Sequence, residues 1–162
     1  MSNLQKMVII GFALMIAFGL YSVIFSYYPA VSPLEESRGL LDRIQTTADT
    51  QAIIEHIRTI KALLPKEGNP VWIFPTDSTD FGLIQSDLDA MIADMDKAST
   101  APWDSTDFHS NMINVHEHAY SIRNAILDAT PYVYTNLSFV IATLIWMIGV
   151  MGLTEVLRQK FK

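Results

Sequence analysis

The chain has no cysteine. That excludes disulfides, thiolate nucleophiles and thiolate metal centres, so a domain outside the cytoplasm must hold itself together by packing. Charge is missing from two long stretches. No Asp, Glu, Lys or Arg occurs from Met7 to Leu34, and none from Ala129 to Thr154. Each stretch exceeds the ~20 apolar residues that cross a bilayer core as a helix. Catalytic signatures are absent as well. There is no G-x-S-x-G, no Gly-rich phosphate loop and no H-E-x-x-H. His116-Glu117-His118 does not mimic the last, because its spacing fails on a helix.

What is present fits a chain of 162 residues, about one domain. The uncharged stretches predict transmembrane helices over 7–28 and 132–156. Residues 29–131 lie between them, and 1–6 and 157–162 are short tails. A signal-peptide core spans only ~7–15 residues. The first stretch is far longer, and Tyr27-Tyr28-Pro29-Ala30-Val31-Ser32-Pro33 is a poor cleavage site, so it reads as an uncleaved anchor. Lys6 precedes the first span, and Arg158, Lys160 and Lys162 follow the second. Positive flanks favour the cytoplasm, which puts both termini in the cytoplasm and the middle segment outside the cell membrane. Residues 30–130 hold 16 Asp and Glu against 7 Lys and Arg. Such an acidic segment has no surface for a phosphate backbone, so nucleic acid is excluded as a partner.

The middle segment reads as four helices. Ser32-Pro33-Leu34-Glu35 is a start signal for helix A, with Leu34, Leu40, Leu41 and Ile44 as its apolar stripe. Thr46 to Thr50 interrupts it. Ile53, Ile57, Ile60 and Leu64 form the stripe of helix B, ended by Pro65 and Gly68. Helix C carries Phe81, Ile84, Leu88, Met91 and Met95. Helix D carries Phe108, Met112, Val115, Ala119, Ile122 and Ile126, and Thr130-Pro131 then breaks or kinks the chain. An even number of antiparallel helices returns the chain to the membrane. The expected fold is therefore an all-α membrane protein, two transmembrane helices flanking an extracytoplasmic up-down four-helix bundle.

DSTDF occurs twice, at Asp77–Phe81 and Asp104–Phe108. Two acidic copies suggest a shared metal site. Helix direction opposes it: about 20 helical residues at ~1.5 Å rise place the copies roughly 30 Å apart. Neither copy fits a calcium loop. Both read as helix starts, with Asp77 and Asp104 as N-caps, Asp80 and Asp107 in the first turn, and Trp103 stapled onto Phe108.

Three of the four histidines fall between His109 and His118. No pair has the i, i+4 spacing of helical ligands. Met112 and His116 stand one turn apart, and a thioether with an imidazole suits copper(I) better than zinc. His109 and His56 are the candidate further ligands. Histidines flanking an apolar stripe are more often boundary residues than ligands, and no other cofactor is indicated.

Val71-Trp72-Ile73-Phe74 is an apolar stretch fenced by Pro70 and Pro75. Two placements stay open: Trp72, Ile73 and Phe74 dip into the membrane interface, or they plug the base of the bundle. Tyr27, Tyr28, Tyr132 and Tyr134 flank the apolar runs and suit the same interface. Small residues in the spans allow close helix packing: Gly11, Ala13, Ala17 and Gly19 in the first, and Ser138, Ala142, Gly149 and Gly152 in the second.

These features point to a membrane-anchored, non-catalytic interaction protein, an accessory or stabilising subunit of a larger membrane complex. Its partners would be the lipid bilayer and other membrane subunits, or further copies of itself. The alternatives are a small-ligand sensor that signals through a partner, the short tails leaving no room for an output domain, and a copper-handling module.

Overall fold

The computed structural model describes residues 3–135 and 137–160. Among them are five α-helices and no strand: α1 Asn3–Ile44, α2 Thr50–Leu63, α3 Phe81–Thr100, α4 Thr106–Tyr134 and α5 Leu137–Lys160. A 3-10 turn, Asp77–Thr79, precedes α3. The chain divides into two compact units. An apolar unit comprises Met1–Pro29 with Tyr134–Lys162, and an acidic unit comprises Ala30–Val133.

The sequence predicts a break between the first apolar run and a helix that starts at Ser32. The structure instead has one helix of 42 residues, with Pro29 and Pro33 inside it. Neither proline supplies an N–H, so the carbonyls four residues earlier lose a partner. Val31, Leu34, Leu41 and Ile44 are all buried in the same helix, across the prolines. That packing outweighs the local preference to stop. The Ser37 hydroxyl, fully buried, donates to the Pro33 carbonyl at 2.8 Å.

Pro131 is accommodated in the same way. The sequence predicts a break or kink at Thr130-Pro131, yet α4 continues through Pro131 to Tyr134. The Thr130 hydroxyl turns back to donate to the Ile126 carbonyl at 2.7 Å, and Ala129 beside it is fully buried.

In the acidic unit four helical segments share one core. α1 contributes Leu34, Leu41 and Ile44, and α2 contributes Ile53, Ile57 and Ile60. α3 adds Phe81, Leu88, Met91 and Met95, and α4 adds Met112, Val115, Ile122 and Ile126. The stripes legible in the sequence are the buried faces, with Leu40 and Phe108 only partly buried. Connections of five residues, 45–49 and 101–105, join α1 to α2 and α3 to α4. Links that short have the length of helical-hairpin connections. α2 and α3 run antiparallel. Lys61 pairs with Asp89, while the Gln85 side-chain amide donates to the carbonyls of Leu64 at 3.3 Å and Pro65 at 3.1 Å. Arg123 of α4 reaches Asp42 of α1 at 2.6 Å.

Both predicted caps are corrected by the geometry. Asp77 opens the 3-10 turn and caps nothing. The N-cap of α3 is Asp80, whose carboxylate accepts from Gly82 N–H at 2.8 Å and Leu83 N–H at 3.2 Å. In the second copy Ser105, not Asp104, takes the role: its hydroxyl accepts from Phe108 N–H at 3.1 Å. The shift has a further consequence. With Ser105 as cap, the staple positions fall on Asp104 and His109, and Trp103 stays 78% exposed. The first turn of α4 does carry Asp107. Asp49, unremarked in the sequence, caps α2 through Gln51 N–H and Ala52 N–H at 3.0 and 3.3 Å.

Candidate functional site

Among the described residues the candidates are the loop 64–80, the pair of apolar helices, and the histidine face of α4.

The loop is built around Asn69. Its side-chain carbonyl accepts from Val71 N–H and from the Thr79 hydroxyl, both at 3.0 Å. Its amide donates to the Thr76 carbonyl at 2.7 Å. Phe81 N–H donates to the Gly68 carbonyl at 2.9 Å. Gly68 has φ of 98°, a left-handed value that side chains resist. Val71 and Thr79 are buried, and so anchor the loop to the domain. Trp72, Ile73 and Phe74 are not: they are 44%, 49% and 81% exposed. Of the two placements left open by the sequence, a plug is thereby excluded for Phe74.

In the apolar unit α1 and α5 touch through specific side chains. The Trp146 indole lies on Gly19, where an added Cβ would stand 3.7 Å from the ring. Its Nε1–H donates to the Met15 carbonyl at 2.8 Å. A Cβ on Gly149 would come within 2.5 Å of Met15 Cε. Beside these contacts runs a groove of about 380 Å³, lined by Ile16, Phe18, Gly19, Leu20, Phe139, Ala142, Thr143 and Trp146. Its lining is almost wholly apolar. Of the predicted packing positions, Gly19 and Gly149 face the other helix and Ala142 lines the groove. Gly152 would meet nothing within 4 Å. Ala13 and Ala17 are exposed, and Gly11 is half-buried. The Ser138 side chain lies outside what is described, as does that of Tyr27. Smallness alone does not say which side of a helix is used. The contact is organised instead by the one tryptophan in the second apolar run, which sequence reasoning passed over.

Outside that contact many of the described apolar side chains are exposed. Among the described residues, one helix is long and apolar enough to cross a membrane, and none of its apolar window is buried. Val8–Tyr21 is a shorter apolar helical stretch. Leu14, Phe18, Ile145 and Ile148 are each more than half exposed. Of the flanking tyrosines, Tyr28 is exposed and Tyr132 and Tyr134 are half-buried. The Tyr134 ring lies 5.2 Å from Phe139.

The histidine face is dispersed. His109 and His118 are exposed, and His56 and His116 are half-buried. Met112 is buried in the core. His116 Nε2 is buried without a hydrogen-bond partner, as are Arg38 Nε and Gln45 Nε2. Among the described residues, no three His, Asp or Glu side chains are grouped so as to hold a metal ion.

Comparison of the chain with protein-family models, with curated proteins and with solved structures gives no match in any of the three.

Proposed function

We propose that the chain is a two-span membrane protein, with both termini in the cytoplasm and the acidic unit outside as an up-down four-helix bundle. Its task is non-catalytic: it is an accessory subunit that docks on other membrane subunits and stabilises them. The observation that carries the reading is the unfilled apolar groove beside Gly19 and Trp146. Lipid-exposed helices need no groove. A groove between two apolar helices gives a further apolar helix a shape to pack into, and van der Waals packing of that kind is how membrane helices associate. The occupant is a transmembrane helix of a larger complex. Native mass measurement after mild detergent extraction tests this. The chain is expected together with at least one further subunit, and a lone chain of 18.2 kDa would overturn the reading.

A second reading, a small-ligand sensor, is favoured by one observation. Three buried polar atoms of the acidic unit, on Arg38, Gln45 and His116, have no partner. Buried polar groups usually have one, and a ligand could supply it. A compound that raises the melting temperature of wild type but not of His116→Leu would favour the sensor.

A further inference from the structure

The acidic unit carries 16 acids against 7 bases, yet no charge lies from Gly68 to Thr76. That stretch holds three large exposed apolar side chains, and it is held in shape. Asn69 ties Val71, Thr76 and Thr79 together, Phe81 N–H bonds the Gly68 carbonyl, and Val71 is buried. A surface so braced loses little freedom when it meets a partner. Three of its backbone positions present no free donor. Pro70 and Pro75 have no N–H, and that of Val71 is bonded to Asn69.

Position within the unit names the partner. The five-residue links 45–49 and 101–105 have the length that pairs α1 with α2, and α3 with α4, as hairpins. α2 and α3 are antiparallel through Gln85 and the carbonyls of Leu64 and Pro65. The loop 64–80 therefore lies at the end of the acidic unit where Ala30 enters and Val133 leaves. The connection 101–105 lies at the opposite end, beyond the 20 residues of α3. At the end where the chain leaves for its apolar helices, an uncharged Trp-Ile-Phe tip suits the lipid headgroup boundary, where tryptophan is favoured.

We propose that Trp72, Ile73 and Phe74 form a braced apolar foot that enters the membrane interface. The proposal rests on the two-span reading above.

Because the chain has no cysteine, single nitroxide labels can be placed without background. The full chain is reconstituted in phosphatidylcholine vesicles with a label at Phe74→Cys, Ile73→Cys, Ile145→Cys or Asp104→Cys. Collisions with oxygen, which concentrates in lipid, are compared with collisions with a water-soluble nickel complex. Oxygen is expected to dominate at 74, 73 and 145, with the order reversed at 104. Nickel dominating at 73 and 74, with oxygen still dominating at 145, overturns the foot and leaves the membrane reading standing. Nickel dominating at 145 as well overturns the two-span reading itself. Protection of 73 and 74 from both reagents means that protein covers the tip, and also overturns the foot.

Discussion

The Trp146 indole lies against Gly19 of α1 and donates to the Met15 carbonyl at 2.8 Å. Met15 sits in mid-helix, so its carbonyl accepts this bond in addition to its place in the helix ladder. Trp146→Phe keeps most of the ring and removes the donor. Polar bonds between membrane helices average about 0.6 kcal/mol, so a loss of that order is expected. Thermal unfolding of the full chain in detergent, with loss of association between the helices as readout, measures it. A variant as stable as wild type would show that the indole N–H contributes nothing to the contact.

The two glycines of α5 separate packing from mere smallness. A Cβ on Gly149 meets the far end of the flexible Met15 side chain, whereas one on Gly152 meets nothing. Gly149→Ala is expected to be tolerated with a small loss as Met15 moves aside, and Gly149→Leu to separate the helices. Gly152→Leu leaves the pair intact. The same unfolding measurement checks all three, and equal effects at 149 and 152 would contradict the geometry.

The repeated pentapeptide provides a matched pair of tests. Asp80→Ala removes the cap of α3 and is expected to cost about 1 kcal/mol, with Ser105→Ala costing a similar amount at α4. Asp77→Ala and Asp104→Ala, which remove no cap bond, are expected to be close to neutral. Chemical denaturation of the acidic unit within the full chain, read by the midpoint at constant slope, gives the comparison. Larger losses at 77 and 104 than at 80 and 105 would restore the sequence-based assignment.

Much of this fold was legible because helical periodicity is a repeated signal. Leu34, Ile57, Leu88 and Ile122 lie on stripes that the sequence displays, and all four are buried. Helix ends were less legible, because a cap is one hydrogen bond and neighbouring candidates compete for it. DSTD offers two Asp, one Ser and one Thr, and the 3-10 turn at 77–79 leaves Asp80 at the start of α3. Pro29 and Pro33 misled for a related reason: their local preference is strong, but burial of Val31 and Leu34 overrides it. Asn69 and Gln85 gave no signal at all. An amide that bonds carbonyls across a loop looks the same in sequence as one in solvent.

Asn69 makes the loop what it is, so its removal has a distinct signature. Asn69→Ala loses bonds to Val71, Thr76 and Thr79, and leaves the Thr79 hydroxyl, which is buried, with fewer partners. Net contributions of about 0.5–1.5 kcal/mol for each of the three bonds set a loss of roughly 1.5–4.5 kcal/mol. Hydrogen exchange should rise first at Val71 and Phe81, ahead of the core of α3. Exchange unchanged at these amides would mean that the prolines alone hold the loop.

His116 is the residue on which the copper and ligand readings meet packing. Its Nε2 is buried without a partner, and Met112 one turn earlier is a core residue. A buried polar atom left unpaired costs about 1–3 kcal/mol, so replacing the ring by a hydrocarbon should recover part of that. His116→Leu is expected to hold or raise the melting temperature of the metal-free chain. If Nε2 belongs to a copper site with Met112, His109 or His56, copper(I) added under reducing conditions would instead stabilise wild type, and the gain would vanish in His116→Leu. Metal analysis of the purified chain runs beside the melts. Copper retained in proportion to protein, and lost with His116, would make the histidine face the functional site.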